Sequence, residues 1–144
     1  MEIRKMIADD IPKLALLYKQ FWNEDSCEEA MIKQFEKLQR SDNYVLLSAV
    51  LGGELIGSAM GIDCEDLYDK CEPFMVLENV IVDKKHRRKG VGKALIREIE
   101  KHAVDLNCTQ IILVTETDRI DACNFYASVG YNPNTNKGFK KKLK

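Results

Sequence analysis

The segment from Leu77 to Leu95 narrows what this chain can become more than any other stretch. Apolar residues around Val80, Ile81 and Val82 read as a buried strand. Then come Lys84, Lys85, His86, Arg87, Arg88 and Lys89, and at once Gly90, Val91 and Gly92. A long amphipathic run continues to about Asn107. A strand, a basic glycine-containing turn and a helix start together make a place for phosphate. The glycines let backbone N–H groups approach an anion, and the helix N-terminus adds partial positive charge.

The 144 residues fit one domain, residues 1–144, with a real hydrophobic core. Lys and Arg number 22 against 23 Asp and Glu, which argues against a mainly electrostatic nucleic-acid binder. Charge is nevertheless uneven. The tail carries Lys137, Lys140, Lys141, Lys142 and Lys144, while residues 63–72 carry Asp63, Glu65, Asp66, Asp69 and Glu72 against Lys70. Cysteines at 27, 64, 71, 108 and 123 include no Cys-x-x-Cys pair, so neither a disulfide framework nor a zinc ribbon is indicated. Reduced, mostly structural thiols and no metal are the expectation. Charged Glu2, Arg4 and Lys5 do not make a signal peptide, and no apolar stretch reaches membrane-spanning length. A soluble cytoplasmic protein without a membrane partner is expected.

Residues 2–7 read as a first strand. Asp9 or Asp10 can cap a helix with Pro12 in its first turn and Leu14, Leu17, Tyr18 and Phe21 on one face. Ser26 with Glu29 makes a capping box for a second helix, whose apolar side is Met31, Phe35 and Leu38. Tyr44–Leu51 and Leu55–Ile62 are strands joined by a Gly52-Gly53 hairpin. A polar loop to Pro73 precedes a long strand, Phe74–Val82, whose apolar character predicts a central place in the sheet. The helix after Gly90 turns Val91, Leu95, Ile99, Ala103 and Leu106 inward. Ile111–Thr115 reads as another interior strand, and a short helix from about Asp121 through Val129 stops at Gly130. A closing strand around Phe139 and Leu143 completes the expectation. No leading Gly-x-Gly-x-x-Gly unit supports a dinucleotide fold, and Ala94 stands where a Walker motif needs Ser or Thr.

Arg87-Arg88-Lys89-Gly90-Val91-Gly92, preceded by Glu78-Asn79-Val80-Ile81-Val82, resembles the acetyl-CoA motif of the Gcn5-related N-acetyltransferases (GNAT). Ala122-Cys123-Asn124-Phe125-Tyr126, followed by Gly130-Tyr131, is similar to that family's second signature. The resemblance covers nearly the whole chain. It implies an α/β fold with a mixed, mostly antiparallel sheet, about four flanking helices and splayed central strands. It implies acetyl transfer from acetyl-CoA to an amine. Backbone N–H groups of Arg88, Lys89, Gly90, Val91, Gly92 and Lys93 would surround the pyrophosphate, beside Arg87, and backbone atoms of Val80, Ile81 and Val82 would pair with the pantetheine arm. The family often has Asn where this chain has Arg119. Arg119 can instead reach a cofactor phosphate or lie in solvent, and Lys84 and Lys85 face the same choice at the 3'-phosphate.

Direct attack by an amine on a thioester develops a thiolate, which a nearby phenol can protonate or hydrogen-bond. The resemblance gives that role to Tyr126; half-buried aromatic packing is the alternative. An ammonium must lose its proton before attack, and the resemblance gives Glu78 that task. The alternatives for Glu78 are an ion-paired strand carboxylate or an anchor for the amine. Strand alternation puts Glu78, Val80 and Val82 on one face and Asn79 on the other, unless a bulge intervenes. His86 is expected in solvent, His102 partly exposed on a helix, and Cys123 in packing.

Glu24, Asp25, Glu28 and the acidic 63–72 segment suit a small cationic amine as acceptor, with Trp22 and Phe21 able to line a pocket. A solvated acidic loop explains the same residues. A protein amine as acceptor and a noncatalytic acyl-CoA-binding regulatory module remain open alternatives, and a nucleic-acid module is more distant. The resemblance also implies a homodimer.

Overall fold

The protein is described by a computed structural model covering residues 1–144. The chain forms two compact units, Met1–Ile112 and Leu113–Lys144. In the first, strands β1 (Glu2–Lys5), β2 (Tyr44–Leu51), β3 (Glu54–Cys64), β4 (Phe74–Val82) and β5 (Ile111–Ile112) form one sheet in sequence order. Pairing is antiparallel from β1 through β4, and β5 joins β4 in parallel. Helices α1 (Ile11–Trp22), α2 (Glu28–Leu38) and α3 (Val91–Asp105) belong to this unit. Helix α4 (Ile120–Ser128) lies in the second, and Gly130 ends its helical segment with φ 104°.

The apolar periodicity of α1 translates directly into packing. Leu14 and Leu17 are buried, and with Ile11, Phe35, Leu55 and Ile81 they form a core on which Tyr18, Phe21, Met31 and Leu46 pack. Helix α3 buries Val91, Leu95, Ile96, Ile99 and Ala103. It approaches β3 closely because Gly57 and Gly61 have no side chains. A Cβ at Gly57 would lie 2.9 Å from the Ile81 carbonyl oxygen and 3.1 Å from Val91 Cγ1.

Several sequence expectations are corrected. Asp10 occupies the N-cap position of α1, but its side chain makes no cap hydrogen bond to that helix. Its oxygens accept from Arg4, Ser48 Oγ and the Ile7 amide instead. Cys27, not Ser26, is the N-cap of α2, and no side chain caps it. Leu106 lies just past α3 and is exposed. Strand β5 covers only Ile111 and Ile112 and ends the sheet order, so it is an edge rather than an interior strand. Residues 132–144 contain no strand, and Phe139 and Leu143 are exposed.

Candidate active site

The glycine turn is built from the end of β4 outward. Asp83 is buried at 6% exposure and caps a single 3-10 turn, Lys84–His86, by accepting the Lys85 N–H at 3.2 Å. Its other carboxylate oxygen lies 3.1 Å from His86 Nδ1. Burial works against its charge, but the Lys85 amide, His86 and Gln20 outweigh it and hold the carboxyl below the ordinary aspartate range. His86 is therefore a half-buried partner of Asp83 rather than a solvated residue. Arg87 folds back so that Nε donates to the Val82 carbonyl at 3.2 Å.

Beyond Arg87 the backbone changes hand twice. Arg88 has φ 60° and Gly90 has φ 83°. Alternating conformations of this kind turn successive N–H groups toward one concavity. Helix α3 starts immediately afterwards, with Gly90 at its N-cap and no side chain bonded to its first turn. The first helical hydrogen bond across this boundary runs from the Ala94 N–H to the Gly90 carbonyl at 3.0 Å. The amides of Val91, Gly92 and Lys93 consequently have no intrahelical acceptor. An added Cβ at Gly90 would meet nothing within 4 Å, so the mouth of the turn is open. Lys84, Lys85, Arg87, Arg88 and Lys89 are all exposed around it. This donor set and charge fit a diphosphate.

Strand β4 approaches the turn with one irregularity. Met60 pairs with Glu78, but Ser58 pairs with Ile81, so β4 carries one residue more than β3 across this interval. Asn79, with φ 52°, marks the bulge. Met60 and Ser58 share a face of β3, so Glu78 and Ile81 share a face of β4. Val82 pairs with Gly57 and lies on the α3 face. The expected grouping of Glu78 with Val80 and Val82 is thus overturned by the bulge. Glu78 is exposed on the face whose core is supplied by α1 and α2. On the opposite edge, the β4–β5 ladder ends at Val76 and Ile112. Strand β5 therefore leaves the outer edge of Val80–Val82 unpaired, and there the Val82 carbonyl accepts only from Arg87 Nε.

In the second unit, Tyr126 sits on α4, half-buried. Its ring centroid lies 5.2 Å from Phe125 and, edge-on, 6.1 Å from Tyr131. The Tyr131 N–H donates to the Tyr126 carbonyl at 3.0 Å, which closes the helix over the aromatic cluster. Arg119 is the N-cap residue of α4 and its carbonyl accepts the Cys123 N–H at 3.0 Å. Cys123 Sγ lies 3.7 Å from the Glu116 carbonyl oxygen, in keeping with packing.

The acidic segments are partly engaged in structure. Asp25 pairs with Lys19 at 2.6 Å. Asp66 accepts the Leu67 and Tyr68 amides, Glu72 accepts the Asn107 side chain, and Asp63 faces Cys108 Sγ. Burial and the neighbouring Asp63 push the Cys108 thiol up to about 11. Glu24, Glu28, Glu29, Glu65 and Asp69 are exposed. All five cysteines are free, and no group of three or more His, Cys, Asp or Glu is placed to hold a metal ion. No helix is long and apolar enough to cross a membrane. Gln20 and Asp83 were not singled out in the sequence. An aspartate directly before a basic run is a helix-cap signal that points to Asp83, whereas nothing local points to Gln20.

A putative acetyltransferase from Agrobacterium tumefaciens str. C58 has the same fold, with a TM-score of 0.90 over 99% of both chains at 22% identity. The acetyltransferase (GNAT) family model matches residues 11–131, and the chain belongs to that family of enzymes. The chain is 37% identical to human N-acetyltransferase 8 over 60 residues, 42% of this chain and 26% of that protein. The match therefore spans about a quarter of that relative's length. It is 23% identical over 133 residues, 91% of each chain, to an aminoglycoside N(6')-acetyltransferase type 1 of Salmonella typhimurium.

Proposed function

We propose that this chain is an acetyl-CoA-dependent N-acetyltransferase, built as one catalytic domain, whose acceptor is a small cationic primary amine. One observation carries the reading: the alternating turn at Arg88 and Gly90 opens into an uncapped helix start at the end of a strand whose last residues β5 leaves unpaired. Acetyl-CoA supplies a thioester carbonyl activated toward attack. The amides of Arg88, Lys89, Gly90, Val91, Gly92 and Lys93 hold its diphosphate, with Arg87 closing the turn. The main chain of Val80, Ile81 and Val82 pairs with the pantetheine arm, and Arg119 is assigned to the cofactor as well. Glu78 takes a proton from the acceptor ammonium, directly or through one water, so that a neutral amine attacks. The Tyr126 hydroxyl donates to the departing sulfur. Exposed Trp22 and the carboxylates of Glu24 and Glu28 support a cationic acceptor, and a relative that acts on aminoglycosides agrees with that chemistry.

The test is release of free CoA thiol from acetyl-CoA across a panel of polyamines, aminoglycosides, lysine peptides and neutral amines. Turnover with small cationic amines is expected. Glu78→Gln and Tyr126→Phe should each lower kcat by about a hundredfold or more. Acetyl-CoA that binds without turnover on any amine would assign a noncatalytic module instead. Turnover on lysine peptides alone would replace the small acceptor with a protein.

A further inference from the structure

We propose that Gln20 of α1 is a positioning residue that sets the geometry of the diphosphate turn, an inference that rests on the reading of that turn given above. Gln20 lies two residues before the end of α1 and is half-buried. Its side-chain oxygen accepts the Lys84 N–H at 3.2 Å, across 64 residues of sequence. The same side chain helps hold the buried Asp83 carboxyl below the ordinary aspartate range. Asp83 in turn accepts the Lys85 N–H and faces His86, while its own amide donates to the Ile56 carbonyl at 2.9 Å.

These bonds divide the turn into two parts. The amides of Asp83, Lys84 and Lys85 are directed into the protein, toward Ile56, Gln20 and Asp83. The amides from Arg88 to Lys93 are the ones left for an anion. Gln20 is the only side chain outside the β4–α3 segment that bonds a main-chain N–H of its first turn. It therefore fixes where the left-handed steps at Arg88 and Gly90 begin. Helix α1 ends at Trp22 and leads directly into Glu24 and Asp25. One rigid element thus carries the Gln20 contact and the start of the acidic acceptor-side loop.

The test compares two acetyl donors. Gln20→Met keeps side-chain length and packing while removing the hydrogen bond to the Lys84 N–H. The Kd and KM for acetyl-CoA should rise about fivefold, the factor of one neutral hydrogen bond, with kcat little changed. S-acetyl-pantetheine has no diphosphate, and its kcat/KM should stay at the wild-type value. Gln20→Glu retains an acceptor for Lys84 but sets a second carboxylate against Asp83, and it should lose acetyl-CoA affinity at least as strongly. A lowered melting temperature with unchanged donor discrimination would make Gln20 merely structural and overturn the proposal. Equal losses on both donors would overturn it too. A wild-type protein that treats the two donors alike would instead overturn the diphosphate reading itself, before any variant is made.

Discussion

Arg4 and Asp10 meet through two hydrogen bonds, Nη1 to Oδ2 at 2.7 Å and Nη2 to Oδ1 at 2.8 Å. The same carboxylate accepts Ser48 Oγ at 2.8 Å and the Ile7 N–H at 3.0 Å. One buried side chain thereby joins β1, the turn into α1 and β2. Asp10→Ala would leave Ser48, which is wholly buried, without its acceptor. It should cost about 3 kcal/mol in urea unfolding. Asp10→Asn, which keeps the volume and part of the network, should cost less. An Asp10→Ala loss under about 1 kcal/mol would contradict this account.

Acid should weaken the fold through the same carboxylate. Burial opposes the Asp10 charge, but Arg4, the Ile7 amide and Ser48 outweigh it, so its folded-state value lies below the ordinary one. Asp83 is held down in the same direction. A carboxylate depressed in the folded state contributes stability fully above its unfolded value, about 3.9. That contribution disappears as pH falls through the lower folded value. Urea midpoints should be flat near neutrality and drop steeply below about pH 4. Asp10→Asn should have a shallower acid arm; an arm identical to wild type would remove Asp10 from the explanation.

Gly57 and Gly61 both face α3, yet their alanine variants should differ. At Gly57 the added Cβ meets the backbone oxygen of Ile81 at 2.9 Å, which cannot rotate away. At Gly61 the nearest atom is Met75 Sδ at 2.8 Å, part of a flexible side chain. Gly57→Ala should cost about 3 kcal/mol and Gly61→Ala about 1 kcal/mol. Gly57→Ala also presses on Val91, the first residue of α3, and should weaken acetyl-CoA binding in calorimetry. Equal costs at the two sites would show that the backbone oxygen yields as easily as the sulfur.

Gly90 separates conformational strain from crowding. Space is open around it, but its φ of 83° is unfavourable for a side chain. Gly90→Ala should lower stability by about 1 kcal/mol and raise the acetyl-CoA Kd as the turn relaxes. Asn tolerates left-handed backbone better, so Gly90→Asn should retain more affinity than Gly90→Ala. The reverse order would point to contact rather than backbone as the cause.

Periodic and terminal signals in the sequence carried through where they were local. Phe74–Val82, the Gly52-Gly53 hairpin and the inward face of α3 from Val91 to Ala103 depend on nearby residues, and each formed as expected. Features set by partners distant in sequence were not legible. Asp10 reads as a helix cap until Ser48 and Arg4 are brought beside it. Gln20 reads as an ordinary helix residue until Lys84 arrives from 64 positions away. The parity of β4 failed at Asn79 because a bulge is a property of two paired strands, not of one. Ile111–Thr115 shortened because apolar content alone does not tell an edge from an interior.

The extra step at Asn79 makes it the one position of β4 that the hydrophobic interior could do without. If it were excised, ordinary alternation would still point Ile81 toward α1 and α2 and Val82 toward α3. Tertiary packing thus exerts no pull to keep that residue. What it contributes is local: a twist in the chain immediately after Glu78, placed where a straight ribbon would have satisfied the interior equally well.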